Sequence, residues 1–230
     1  MSSLFDVYDT RARLSVGIIL ISPILLTAYL QLEVIRKLTT TAVVALALLA
    51  ISNLLLIYTR YFGIHSFSKK EIVENMLLPT DNTIDKLTKQ RIYRKLASKD
   101  TSLQILVTEC NTPNPSNDFR LACSSAYNLI KETSRNNSLI QKESILYGFS
   151  RNMYGVKKNG IIVSLFLFAL EFIQFRFSYN CDLTAIPIEF FVSFIINIFY
   201  LLLWAFFINK KIVKFCAENY AEQLIKSFDQ

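Results

Sequence analysis

Four long segments with almost no charged side chains constrain the fold of this chain more than any other feature of its sequence. A helix rises about 1.5 Å per residue, so about 20 apolar residues cross the roughly 30 Å hydrocarbon core of a bilayer. The composition agrees, because 52% of the 230 residues are hydrophobic and only 19% are charged. We therefore predict an all-α membrane protein with four transmembrane helices. The segments are residues 14–32, 38–59, 161–175 and 190–209.

Short connections predict how these segments pair. Only a short stretch of chain separates the first two segments, and the same holds for the last two, so each pair is expected to form an antiparallel hairpin. Pro23 lies inside the first segment, where a neighbouring helix or a hydroxyl group must satisfy the carbonyl that proline leaves without a donor. The expected organisation is a cytoplasmic N-terminus (1–13), transmembrane hairpin 1 (14–59), a basic and mainly α-helical cytoplasmic domain (60–158), transmembrane hairpin 2 (159–209) and a cytoplasmic C-terminal tail (210–230).

The distribution of lysine and arginine predicts the orientation, because cytoplasmic segments of membrane proteins carry the excess of these residues. Of the 25 Lys and Arg side chains, 16 lie in 60–158, two precede residue 14 and four follow residue 209. The two hairpin connections contain only Arg36, Lys37 and Arg176. Both termini and the middle region are therefore expected in the cytoplasm.

A cationic stripe is predicted in the middle region, where residues 83–99 are rich in good helix formers. Arg91, Lys95 and Lys99 recur every four residues and therefore share one side of that helix, with Arg94 close by. Two interpretations of these four residues stay open. In the first, they bind a phosphate-bearing ligand. In the second, they form an ordinary solvated face of a cytoplasmic domain.

A second helix of the middle region is predicted to begin near Asn117, after a loop that contains two prolines. Phe119, Cys123, Ala126 and Ile130 fall at helical spacing along it. Such a stripe is typical of the buried face of an amphipathic helix, so we interpret it as core.

A glycine-rich stretch, 147–160, lies directly before the third apolar segment. Glycine weakens a helix, so these positions are expected to need a turn or a close backbone approach. One interpretation is an interfacial anchor, in which aromatic and basic side chains meet lipid headgroups. The other is a hinge that transmits ligand binding to the transmembrane helices. The candidate gating residues are Gly148, Arg151, Asn152, Gly155 and Lys157.

Three polar side chains inside the apolar segments are candidates for a pore lining. Asn53 and Asn197 carry amides, which most often hold membrane helices together. Glu171 is a stronger functional indicator, because a carboxylate inside a membrane is costly unless it faces water or a partner. Glu171 near the outer interface, where water solvates it, is the alternative.

The sequence lacks the motifs of common catalytic sites. It has no glycine-rich phosphate loop, no Gly-x-Ser-x-Gly elbow and no His-x-x-x-His pair, and it contains a single histidine. The four cysteines are too scattered for a zinc site. We therefore expect no enzyme activity, no metal site and no cofactor.

Four short motifs stand out in the middle region and directly after it. They are Thr83-Ile-Asp85, Thr88-Lys89-x-Arg91, Glu132-Thr133-Ser134-Arg135 and Tyr147-Gly-Phe-x-Arg-Asn152 followed by Gly155-x-Lys157. These motifs resemble those of a family of small bacterial four-span membrane proteins. Ser150 stands where that family often has a second arginine, and Ile92-Tyr93 stands where it often has Tyr-His.

The chain is similar, through these motifs, to the membrane effectors of Hailong-type anti-phage defence systems. That resemblance implies a bacterial inner-membrane ion channel, a homo-oligomer such as a tetramer, with a nucleotidyltransferase as its partner. It also implies a pore that an oligonucleotide signal holds closed and that depolarises the cell when it opens. A non-conducting membrane adaptor, which recruits a cytosolic partner or binds anionic lipid, is the second hypothesis.

Overall fold

The computed structural model describes residues 7–32, 42–64, 69–134, 137–180 and 182–229. Every regular element in these ranges is helical, so the all-α prediction is confirmed for the described part of the chain. The main helices are α1 (Val7–Gln31), α2 (Ala42–Ile64), α3 (Lys69–Met76), α4 (Lys86–Lys99), α5 (Asn117–Thr133), α6 (Ser138–Gly155), α7 (Lys157–Ser178), α8 (Ile188–Phe207) and α9 (Lys210–Asp229).

Three of these helices, α1, α7 and α8, are long and apolar enough to cross a membrane, with mean hydropathies of 1.9, 1.8 and 2.3 over their most apolar stretches. They contain nearly all of the first, third and fourth predicted segments. The second predicted segment corresponds to α2, a helix of 23 residues. The first four residues of that segment, 38–41, lie outside the described ranges. The connection that holds Arg36 and Lys37 also lies outside them.

The described residues form two compact units. The first unit lies within Met1–Ser66 and Gly148–Lys210, and the second lies within Phe67–Tyr147 and Lys211–Gln230. These units divide the chain at other positions than the predicted membrane boundaries at residues 60 and 158, which stay a prediction, and α9 packs within the second unit. Apolar side chains explain why α9 belongs to the second unit, since a continuous face of that helix is buried. This face consists of Val213, Ala217, Tyr220, Ala221, Leu224, Ile225 and Phe228.

Helix pairing in the first unit follows the two predicted hairpins, because α1 packs against α2 and α7 packs along α8. Helix α1 also packs against both α7 and α8. Pro23 is buried within α1, and the carbonyl four residues before it belongs to Ile19. The Ser22 hydroxyl donates to that carbonyl at 2.9 Å and lies 2.6 Å from the Tyr200 hydroxyl. A hydroxyl thus satisfies the freed acceptor, as predicted.

Side-chain caps define where two helices of the second unit begin. The helix predicted over residues 83–99 begins later, at Lys86, because Asp85 is its N-cap. The Asp85 carboxylate accepts from the Thr88 backbone N–H at 2.8 Å, and this hydrogen bond lowers the pKa of Asp85. Helix α5 begins at Asn117 as predicted, with the side chain of Ser116 as its cap.

The predicted buried stripe of α5 is confirmed. Phe119, Cys123, Ala126 and Ile130 are all buried. The ring of Phe119 makes an edge contact with the buried ring of Tyr93 on α4. Burial raises the pKa of the Cys123 thiol to about 12, so this cysteine is a small apolar core residue.

Candidate functional site

Five polar side chains meet inside the first unit, on the three helices that are apolar enough to cross a membrane. We call them the carboxylate cluster: Thr27 and Gln31 of α1, Glu171 of α7, and Ser193 and Asn197 of α8. The Asn197 amide donates to Glu171 Oε1 at 2.8 Å and to the Thr27 hydroxyl at 3.0 Å. The Ser193 hydroxyl also donates to Oε1, and the Gln31 amide does so at 3.3 Å. Three donors thus converge on one carboxylate oxygen.

Glu171 is enclosed by its neighbours within the first unit. Its side chain is only 2% exposed, and Ser193 and Asn197 are fully buried. Bulk water therefore does not solvate Glu171 in the single chain, and its depth in a membrane stays a prediction. Of the three pore candidates, Asn197 and Glu171 are in contact in the cluster. Asn53 is not part of the cluster, because it is exposed on the surface of α2.

The cationic stripe on α4 faces the C-terminal end of α9, within the second unit. The Arg91 guanidinium forms an ion pair with the Asp229 carboxylate at 2.9 Å. The Lys95 ammonium donates to the backbone carbonyls of Phe228 and Asp229 at 2.5 and 3.3 Å. Lys95 and Lys99 also lie over the Phe228 ring, at 5.2 and 5.0 Å from its centroid.

These contacts show that groups of the same chain partly balance the positive charge of the stripe. The carbonyl end of a helix carries a partial negative charge, and here it acts together with a full carboxylate. Helical spacing correctly predicted that Arg91, Lys95 and Lys99 lie on one side of α4. The group that Arg91 and Lys95 contact is the C-terminal end of α9, which belongs to the same chain. Arg94 is exposed on a neighbouring face, and within the described ranges no ion pair joins it to an acidic side chain.

Lys89 points into the second unit and takes no part in the stripe. Its side chain is 3% exposed, and its ammonium donates to the carbonyls of Leu78 and Asp81 at 2.7 and 2.6 Å. Burial lowers the pKa of Lys89, and the nearby Asp81 carboxylate opposes that effect. Its position three residues before the buried Ile92 places it on the inward side of α4.

The glycines of the stretch 147–160 serve close packing. None of the described glycines has a positive φ, so their backbone angles do not exclude other residues. A Cβ on Gly155 would lie 2.5 Å from the Phe62 carbonyl oxygen. One on Gly148 would overlap the Tyr8 hydroxyl, and one on Gly160 would overlap the Trp204 ring. The second expectation, a close approach, is confirmed.

Asn152 and Lys157 tie this stretch to other helices of the first unit. The buried Asn152 amide donates to the Ala12 carbonyl at 2.6 Å. The Lys157 ammonium donates to the carbonyls of Ala205 and Ile208 at 3.0 and 2.7 Å, which satisfies the end of α8. Arg151 is half-buried on α6. We call Gly148, Asn152, Gly155, Lys157 and Gly160 the packing hub.

Two π-helical turns lie beside the packing hub. One, Thr10–Leu14 of α1, contains the carbonyl that Asn152 binds, and the other, Leu203–Phe207 of α8, contains both Trp204 and the Ala205 carbonyl that Lys157 binds. A π-turn widens the helix and frees carbonyls, which is why such turns are frequent at functional sites. In this chain, Asn152 and Lys157 of the hub donate hydrogen bonds to carbonyls of these two π-turns.

Comparison with protein-family models, with curated proteins and with solved structures finds no match to this chain. Among the described residues, no three His, Cys, Asp or Glu side chains come together as metal ligands. The functional argument therefore depends on the carboxylate cluster, the cationic stripe and the packing hub.

Proposed function

We propose that this chain is a non-catalytic, multi-pass membrane effector that assembles as a homo-oligomer and forms an ion channel regulated by an anionic nucleotide or oligonucleotide. The observation that carries the proposal is the cationic stripe, because Arg91 and Lys95 of α4 already bind the carboxylate and carbonyl groups at the end of α9. Lys99 lies beside them, over the Phe228 ring. A phosphate-bearing ligand offers the same chemistry with more charge.

The membrane arrangement in this proposal has four transmembrane helices, with α2 added to α1, α7 and α8. The free surface of α2 supports this addition, since Leu54, Ile57 and Tyr61 are 67%, 68% and 63% exposed. Large apolar side chains are equally exposed on α7 and α8, and exposure on that scale is typical of a lipid-facing surface. The family resemblance implies a bacterial inner-membrane location, and the excess of lysine and arginine supports an orientation with both termini and 60–158 in the cytoplasm.

Charge reversal of the stripe is the first test. We expect the double variant Arg91→Glu, Lys95→Glu to bind a fluorescent single-stranded oligonucleotide at least about a hundredfold more weakly than wild type, because each lost charge-assisted contact costs about 1.5–3 kcal/mol. Wild-type affinity is expected to fall as salt rises. Fluorescence anisotropy of the purified full chain measures both effects.

The matched control is Lys142→Glu, which reverses an exposed charge on α6 and should leave the affinity unchanged. Asp229→Asn removes the internal competitor of the ligand and should strengthen binding several-fold. Equal oligonucleotide affinity in wild type and the Arg91, Lys95 double variant would assign the stripe to an intramolecular contact only.

The packing hub supports a gating role for Gly148, Asn152, Gly155 and Lys157, with Arg151 beside them. The chain passes from the second unit to the first within α6, between Tyr147 and Gly148. Contacts of the hub then reach α1, α2 and α8. A displacement of this part of α6 would therefore change the packing of three further helices.

Ion flux tests the channel. We expect purified protein in liposomes to release a trapped fluorescent ion reporter, and the oligonucleotide to change the rate, with closure as the direction that the family resemblance implies. The Arg91, Lys95 double variant should leak without responding to the oligonucleotide, and Lys142→Glu should respond like wild type. A pore needs several subunits around an axis, so mass measurement in detergent should show an oligomer.

A non-conducting adaptor is the second candidate, and enclosure of the carboxylate cluster favours it. Within a single chain, the polar side chains of α7 and α8 that would line a pore are 0–2% exposed. An adaptor would use the basic surface to recruit a cytosolic partner, such as a nucleotidyltransferase, or anionic lipid. Liposomes that stay silent under every ligand, with oligonucleotide binding intact, would favour the adaptor.

A further inference from the structure

Two buried acceptor atoms in the carboxylate cluster have no hydrogen-bond donor among the described residues. They are Glu171 Oε2 and Asn197 Oδ1. The other polar atom of each side chain is fully engaged, because Glu171 Oε1 accepts three hydrogen bonds and Asn197 Nδ2 donates two. An unsatisfied buried acceptor is costly, so two of them in one cluster require an explanation.

The charge of Glu171 is also unbalanced. Within the described ranges, no lysine or arginine forms an ion pair with this carboxylate, and Arg176, the nearest basic residue along α7, is exposed. The three donors on Oε1 are neutral amide and hydroxyl groups, so they do not neutralise an ionised carboxylate. A negative charge enclosed by three apolar helices is costly unless a cation balances it or a proton removes it.

We propose that the carboxylate cluster binds a monovalent cation, Na⁺, with Glu171 Oε2 and Asn197 Oδ1 as its principal ligands. Both atoms are hard oxygen ligands, and an alkali cation prefers ligands of this type. The Ser193 hydroxyl gives its one proton to Glu171 and accepts from the Gln31 amide at 3.2 Å, and the Thr27 hydroxyl accepts from the Asn197 amide. Each hydroxyl oxygen therefore keeps one lone pair for the remaining positions. A single carboxylate balances one positive charge, so a monovalent ion fits better than Ca²⁺ or Mg²⁺.

The bound cation would hold α1, α7 and α8 together. Its ligands come from all three helices. Coordination of the ion by Glu171 Oε2 and Asn197 Oδ1 would therefore remove the repulsion between these two unpaired acceptors and link the helices. This role does not depend on ion conduction or on the cationic stripe, because the cluster and the stripe lie in different units. Failure of the Na⁺ test would therefore leave the oligonucleotide test unaffected, and the reverse also holds.

Thermal unfolding of the purified full chain in lipid nanodiscs tests the site, with the fluorescence of Trp204, the only tryptophan, as the readout. At constant ionic strength and pH, replacing choline with Na⁺ should raise the Tm by several degrees in a saturable manner. Glu171→Gln should abolish the shift. Glu189→Gln, a carboxyl removal on α8 outside the cluster, should retain it.

Asn197→Ala provides a second measurement that does not depend on whether Glu171→Gln folds. It keeps the carboxylate and removes one ligand oxygen, so the Na⁺ concentration at half-maximal shift should rise about tenfold or more. Equal Tm values in Na⁺ and choline would overturn the proposal. A Tm that responds to pH but not to Na⁺ would also overturn it, and would assign a proton to the cluster.

Discussion

Gly155→Ala is expected to lower the free energy of unfolding by about 3 kcal/mol, at the upper end of the usual cost of overpacking. The added methyl would lie 2.5 Å from the Phe62 carbonyl oxygen and 2.9 Å from the Gly63 nitrogen. Both are backbone atoms, so no rotamer change relieves the overlap and α6 must move away from α2. Thermal unfolding in nanodiscs should show a fall in Tm of roughly 6–12 °C.

Two other substitutions in α6 serve as comparisons for Gly155→Ala. Lys142→Ala, on the exposed side of α6, should leave the Tm unchanged, because it removes no buried contact. Gly148→Ala should cost less than Gly155→Ala, since its methyl meets the end of the Tyr8 side chain, which is able to rotate. A Gly155→Ala protein that unfolds at the wild-type temperature would contradict the close approach of α6 to α2.

Trp204→Ala is expected to lower the free energy of unfolding by about 3–5 kcal/mol, because truncation of a fully buried tryptophan leaves a large cavity. The ring is 0% exposed and packs with Val16, Leu20, Met153 and Val156. Its indole N–H has no hydrogen-bond acceptor among the described residues, so packing alone holds it. Trp204→Phe keeps part of the ring volume and should cost clearly less.

A double mutant tests the contact between Trp204 and Gly160. In wild type, a methyl on Gly160 would overlap the indole ring, so Gly160→Ala alone should be destabilising. In the Trp204→Ala background the space is open, and the same methyl should cost nothing or recover part of the loss. Thermal unfolding monitored by circular dichroism gives the coupling energy. Additive effects of the two substitutions would show that the glycine and the ring do not meet.

The site was only partly predictable from local pattern. Helical spacing correctly placed Arg91, Lys95 and Lys99 on one side of α4, because spacing along one helix is a local property. It did not reveal that Asp229, far along the chain, pairs with Arg91. In the same way, the polarity of Glu171 and Asn197 marked both as unusual, but no pattern showed that Thr27 and Gln31 complete their cluster.

The glycine-rich stretch shows a related difference between composition and packing. Its composition indicated that side chains are excluded there, without indicating whether backbone angles or neighbouring atoms exclude them. The structure places Gly155 against the backbone of α2 with no positive φ. The neighbour that excludes a side chain is thus almost a hundred positions away in sequence, so only the packing of α6 on α2 reveals the reason.

The helical class and the positions of the long, apolar helices followed from the sequence, because helix length, charge and hydropathy are local properties that can be compared with the thickness of a bilayer. Two features became visible only in the packed structure: α9 packs within the second unit with its end against the cationic stripe, and three helices enclose Glu171. Those outcomes depend on the rotation of each helix about its axis and on contacts between distant segments. Such contacts are set by packing and polar satisfaction across the whole unit.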